Sequence, residues 1–80
     1  MNFLRKSMFR KNLIKHRETR VTERGGYWDY SVYEENGIFV FEGWNCQKVN
    51  DGSSRGIREM YAEYENQQFA VQTYKTYTEV

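Results

Sequence analysis

The sequence predicts an α+β domain: a three-stranded antiparallel meander with one helix packed on it and a C-terminal strand, preceded by a basic N-terminal arm. Three observations predict it. Asn36-Gly37 separates two runs rich in β-branched and aromatic residues, and a type I′ hairpin turn needs such a pair because both central residues take positive φ. Ile57, Met60, Tyr61 and Tyr64 follow the three-and-four spacing of a core-facing helical stripe. Charge is sorted by position. Residues 1–28 hold eight basic and two acidic side chains, a balance of +6, whereas residues 29–80 hold four basic and nine acidic, a balance of −5. The near-neutral total of +1 therefore hides a dipole.

The organisation follows as a basic arm over 1–17 and a single α+β domain over 18–80. In the arm, the apolar pairs Phe3-Leu4, Met8-Phe9 and Leu13-Ile14 recur every five residues. That step is about 140° on a helical wheel and reverses faces on a strand, so the pairs share no single face. Arg17–Arg24 reads as a polar strand centred on Val21, and Gly25-Gly26 as a two-residue turn. Tyr27–Glu35 and Ile38–Trp44 form the hairpin, with Glu35 opposite Ile38 and Tyr33 opposite Val40. One face then carries Trp28, Tyr30, Val32, Phe39 and Phe41, with Gly43 opposite Tyr30, and faces the core. The other mixes Tyr27, Tyr33, Val40 and Trp44 with Asp29, Glu35 and Glu42 and is expected to be largely solvated. Ser53 or Ser54 caps a helix that fades near Asn66. Phe69–Thr78, rich in Val, Thr and Tyr, reads as the last strand; a helix running on through Val71 and Tyr74 is the alternative. The expected core is Trp28, Tyr30, Val32, Phe39, Phe41, Ile57, Met60, Tyr61 and Tyr64.

Composition limits the function classes. The mean hydropathy of −0.94 is polar for a folded chain, but Trp, Tyr and Phe make up 14 of 80 residues. Each ring removes roughly 150–250 Å² from water, enough to build a core where aliphatics are scarce. The lone Cys46 excludes an intramolecular disulfide and fits a reducing, cytoplasmic setting, in a cell or an infected host. The longest apolar run in the body, Ile38–Phe41, is far below the ~20 residues needed for a membrane span. His16, with no second histidine and one distant cysteine, provides no zinc-ligand set. Gly52–Gly56 at a helix start could cradle an anion but matches no phosphate-binding pattern. No catalytic constellation emerges, and no cofactor or metal is implied.

Two binding readings remain. The favoured one is a small non-catalytic binding protein, of the kind phages or mobile elements use to inhibit or modulate a larger host protein or nucleoprotein assembly. An 80-residue chain opening on Met1 suits that style. Its contact residues are Tyr33, Val40, Glu42, Trp44 and Asp29, because exposed Tyr and Trp serve as interface anchors and acids select a basic partner. The alternative is a nucleic-acid-binding module using its basic arm through Arg5, Lys6, Arg10, Lys11, Lys15 and Arg17, with contacts extending to residue 24. The hairpin does not serve that reading, since residues 27–44 contain no Lys or Arg.

Overall fold

The computed structural model describes residues 11–79. Four strands, β1 (Asn12–Glu18), β2 (Gly26–Glu35), β3 (Ile38–Lys48) and β4 (Ser54–Tyr64), form an antiparallel sheet in chain order, followed by helix α1 (Gln67–Thr78). The class is α+β, with four strands rather than three in the meander and a helix as the last element. Among the described residues no helix is long and apolar enough to cross a membrane.

The β2–β3 hairpin has the register that its turn dictates. Asn36 and Gly37 take φ of 55° and 82°, and the ladder runs from Glu35↔Ile38 through Tyr33↔Val40 and Tyr30↔Gly43 to Gly26↔Gln47. Helix α1 packs on the face carrying Tyr30, Val32 and Phe41, and buries Ala70 and Tyr74 against them. Ile14, Trp28, Phe39, Met60, Tyr64 and Val71 pack around this centre. Aromatic rings supply much of the contact: Trp28 stacks on Tyr30, and Tyr30 and Phe41 both stack on Tyr77. Gly43 leaves room for this layer, because a Cβ there would meet Met60 Cβ at 3.2 Å and the Tyr30 ring at 3.3 Å.

Several expectations are corrected. Ser54–Tyr64 is a strand, not a helix. Its alternation places Met60, Ala62 and Tyr64 opposite Gly43, Phe41 and Phe39 on the helix-covered face, and a register shift between Gly43 and Trp44 leaves Glu59 as the extra residue of a bulge. That bulge is what made the apolar spacing look helical. Ile57 and Tyr61, expected in the core, are 70% and 46% exposed.

Phe69–Thr78, read as a strand, lies within the helix, as the alternative had it. Ala70, Tyr74 and Tyr77 recur at helical spacing on the face turned to the sheet. Thr73, Thr76 and Thr78 donate their hydroxyls to the carbonyls of Phe69, Gln72 and Tyr74, so their polar groups are satisfied within the helix that their propensity disfavours.

The first strand is Asn12–Glu18, so residues 12–17 of the expected arm belong to the sheet, and Val21 lies in the β1–β2 loop, 41% exposed. Thr19 explains where pairing ends: its N–H donates to Trp28 O, and its hydroxyl accepts from Trp28 N–H, both at 2.8 Å. A second bulge, between Leu13 and Lys15, turns Ile14 to the helix face while Leu13 stays on the other. An adjacent apolar pair thus finds two destinations. Arg5, Lys6 and Arg10 lie outside the described residues. Arg17 donates to Thr78 O at 3.1 Å, placing a cation at the helix C-terminus, where the dipole favours it.

Phe41 is 2% exposed at the centre of the aromatic layer. Phe41→Ala should destabilise the fold by about 3–5 kcal/mol, measured by urea unfolding. A variant that unfolds at the same midpoint as the parent would overturn this core.

Candidate partner-binding face

The sheet face opposite α1 was expected to be largely solvated. Much of it is buried instead: Tyr27, Tyr33, Val40, Glu42 and Cys46 are each 8% exposed or less. The residues named as contacts therefore divide. Tyr33, Val40 and Glu42 lie beneath the surface, whereas Asp29 and Trp44 are partly exposed.

Glu42 organises the centre. It lies on β3 with Trp44 two residues on, Tyr61 directly across on β4, and Arg58 across from Trp44. Its carboxylate accepts from Tyr33 Oη at 2.8 Å, from Trp44 Nε1 at 3.0 Å and from Arg58 Nη1 at 3.0 Å. Burial alone would raise this carboxyl. The donors Trp44, Tyr33 and Arg58, helped by the charge of Lys11, outweigh it and hold the group below the usual glutamate value. Burial, followed by the hydrogen bond to this carboxylate and its charge, pushes the Tyr33 phenol well above its ordinary value. Among the described residues no buried side-chain polar atom lacks a partner.

Cations lie over the aromatic rings at the margins. Arg58 covers Tyr61 at 4.3 Å, Lys11 covers Tyr33 at 4.5 Å, and Lys48 covers Tyr27 at 5.7 Å. Tyr61 donates to Glu63 at 2.6 Å, which raises its phenol. The accessible ring around Glu42 thus comprises Trp44, Arg58 and Tyr61, with Leu13 64% exposed on the same face.

Sequence reasoning missed Arg58 and Tyr61 because it placed both on a helix. The available signal was a lone acid within the apolar run Phe39-Val40-Phe41-Glu42, which needs a basic partner on a neighbouring strand. His16, assigned to the arm, lies on β1 with its Nε2 3.0 Å from Asp29 Oδ1. Gly52–Gly56 leads into β4, so no helix N-terminus is there to cradle an anion; Asp51 accepts from the Ser53 amide and hydroxyl instead. Of the basic residues named for nucleic acid, Lys11, Lys15 and Arg17 are described. Lys15 and Arg17 lie on the helix side of β1, away from Lys11 over Tyr33.

Comparison with protein-family models, with curated proteins and with solved structures found no match to this chain.

In Glu42→Gln, Tyr33 and Trp44 compete for one carbonyl oxygen and Arg58 loses its counter-charge, so stability should fall by about 1–3 kcal/mol. The pH dependence has a definite sign. The native carboxyl titrates below the unfolded one, so in that window the unfolded chain binds more protons and stability rises with pH. The contribution is complete above the unfolded value of about 4.3 and is lost as pH falls through the lower native value. The gap between parent and Glu42→Gln in urea unfolding should therefore narrow from about pH 6 to about pH 3; a constant gap would show that Glu42 is not held as an anion.

Proposed function

We propose that this chain is a small non-catalytic binding protein that modulates a larger protein or nucleoprotein assembly, in the manner of phage or mobile-element inhibitors. Its contact surface is the ring around Glu42. One observation carries this reading: Trp44 and Arg58 are both fixed by the same buried carboxylate, and Arg58 in turn lies over Tyr61. Trp, Tyr and Arg are the residue types that dominate interface energetics. Holding their rotamers before contact lowers the entropy lost on binding. Tyr33, Val40 and Glu42 serve from beneath, as the support that keeps the ring in place, and Asp29 adds an acid at its margin.

Nucleic-acid binding is the second reading, and one observation favours it. The β1–β2 loop with Arg20 and Arg24 lies against the end of β3, where Lys48 N–H donates to Gly25 O. Three exposed cations therefore gather at one end of the sheet. Since residues 12–17 form β1, this reading is tested not by deletion but by substituting Arg20, Arg24 and Lys48 together and, separately, Arg5, Lys6 and Arg10.

Affinity capture from the native host, with and without nuclease, separates the two. Under the favoured reading a protein partner survives nuclease, and Trp44→Ala weakens its binding by about 2 kcal/mol or more. Equal retention by Trp44→Ala would overturn the ring as the contact surface. Nuclease-sensitive capture that falls steeply with salt and disappears in the Arg20, Arg24, Lys48 variant or in the Arg5, Lys6, Arg10 variant would establish nucleic acid as the ligand.

A further inference from the structure

Three donor groups converge on the same sheet face but outside the Glu42 network. His16 and Glu18 are two residues apart on β1 and so point the same way. Asp29 on β2 is the direct cross-strand partner of Glu18, and His16 is diagonal to it. One ligand atom from each lies within 4.8 Å of the other two. The His16 side chain is 43% exposed and that of Asp29 28%, so the cluster opens to solvent.

We propose that His16, Glu18 and Asp29 bind a divalent metal ion of the zinc type. Geometry comes first. Tetrahedral bonds of about 2.1 Å place donors about 3.4 Å apart; His16 Nε2 and Asp29 Oδ1 are 3.0 Å apart, and the Glu18 donor lies within 4.8 Å of both. Strand backbones set the spacing, so only side-chain rotation is needed to close the set. Electrostatics is an independent argument. Like charges directly opposite each other across two strands are unfavourable, and Glu18 and Asp29 are such a pair. Among the described residues neither forms an ion pair with a Lys or Arg. Alternation sends the neighbouring Lys15 and Arg17 to the helix side, and Arg17 is engaged by Thr78 O. A bound cation relieves this repulsion: it takes the place of the His16 Nε2–Asp29 Oδ1 contact and displaces no salt bridge to Lys or Arg.

The donor chemistry selects the ion. One imidazole with two carboxylates suits zinc, with water completing the sphere. Magnesium and calcium prefer all-oxygen sets of six or more ligands and are disfavoured here. Binding places the imidazole proton on Nδ1 and leaves Nε2 free for the metal.

The sequence makes the test clean. His16 is the only histidine, and residues 1–10 contain no His, Cys, Asp or Glu. The full chain is titrated with zinc chloride by calorimetry at neutral pH in a non-coordinating buffer, while NMR follows the single imidazole. Saturation at one ion per chain with a shift of the imidazole signal is expected. His16→Gln, which retains a hydrogen-bonding side chain, should weaken binding by more than the about 10–100-fold that loss of an outer-sphere partner costs. Glu18→Gln should weaken it as well. Cys46→Ser should bind as the parent does, and magnesium should not compete. Unchanged zinc affinity in His16→Gln, or its loss in Cys46→Ser, would overturn the assignment; folding of each variant is checked by circular dichroism.

Discussion

Parity in the β2–β3 hairpin is the constraint on which the structure depends. A two-residue turn with positive φ at Asn36 and Gly37 closes one register, and a slip of one residue would send every side chain to the opposite face. With the register fixed, Tyr30, Val32 and Phe41 form the floor on which α1 docks, while Tyr33, Glu42 and Trp44 share the other side. Neither the aromatic core nor the carboxylate network forms in the slipped register. β1 and β4 then extend a ladder whose sidedness is already decided.

Glu42 shows how a buried charge is retained in so small a domain. Removing a carboxylate from water is unfavourable unless it is paired and hydrogen-bonded. Tyr33, Trp44 and Arg58 provide three donors, and Arg58 keeps its side chain 46% exposed, so its own desolvation is partial. The arrangement links Glu42 and Trp44 on β3 and Arg58 on β4 with Tyr33 near the C-terminal end of β2. It gives β4, an edge strand among the described residues, a specific anchor that hydrophobic contact alone would not provide.

The hairpin was legible because its turn chemistry and its alternation agree. Its helix-facing side was legible for the same reason, down to the ring of Tyr30 against the bare backbone of Gly43. The second half of the chain was not. In Arg55–Tyr64 a bulge at Glu59 interrupts the two-residue period and imitates a helical stripe. In Phe69–Thr78 the Thr residues favour a strand by propensity, yet their hydroxyls find carbonyls within the helix, and the uncovered sheet face gives Ala70 and Tyr74 a place to pack. The candidate site was half legible. Trp44, Glu42 and Tyr33 belong together on one face, as alternation indicates. Tyr33 and Glu42 are covered by Lys11 and Arg58, which come from other strands or their flanks, and local sequence does not record which distant cation meets which group.

The two bulges have a consequence for how the molecule behaves in company. They fall on β1 and β4, the two outer strands among the described residues, while the β2–β3 ladder between them is unbroken. An outer strand with a regular row of free amides and carbonyls is a template for another chain, and repeated additions lead to fibrils. Here each outer row is kinked near its middle, at Ile14 and Glu59, and flanked by charged residues, Lys15 and Arg17 on one side and Arg58 and Glu63 on the other. A neighbouring strand would lose register within a few residues. Growth of the described sheet by edge addition is therefore opposed at both of its ends, in a chain whose many Tyr, Trp and Phe side chains would otherwise favour it.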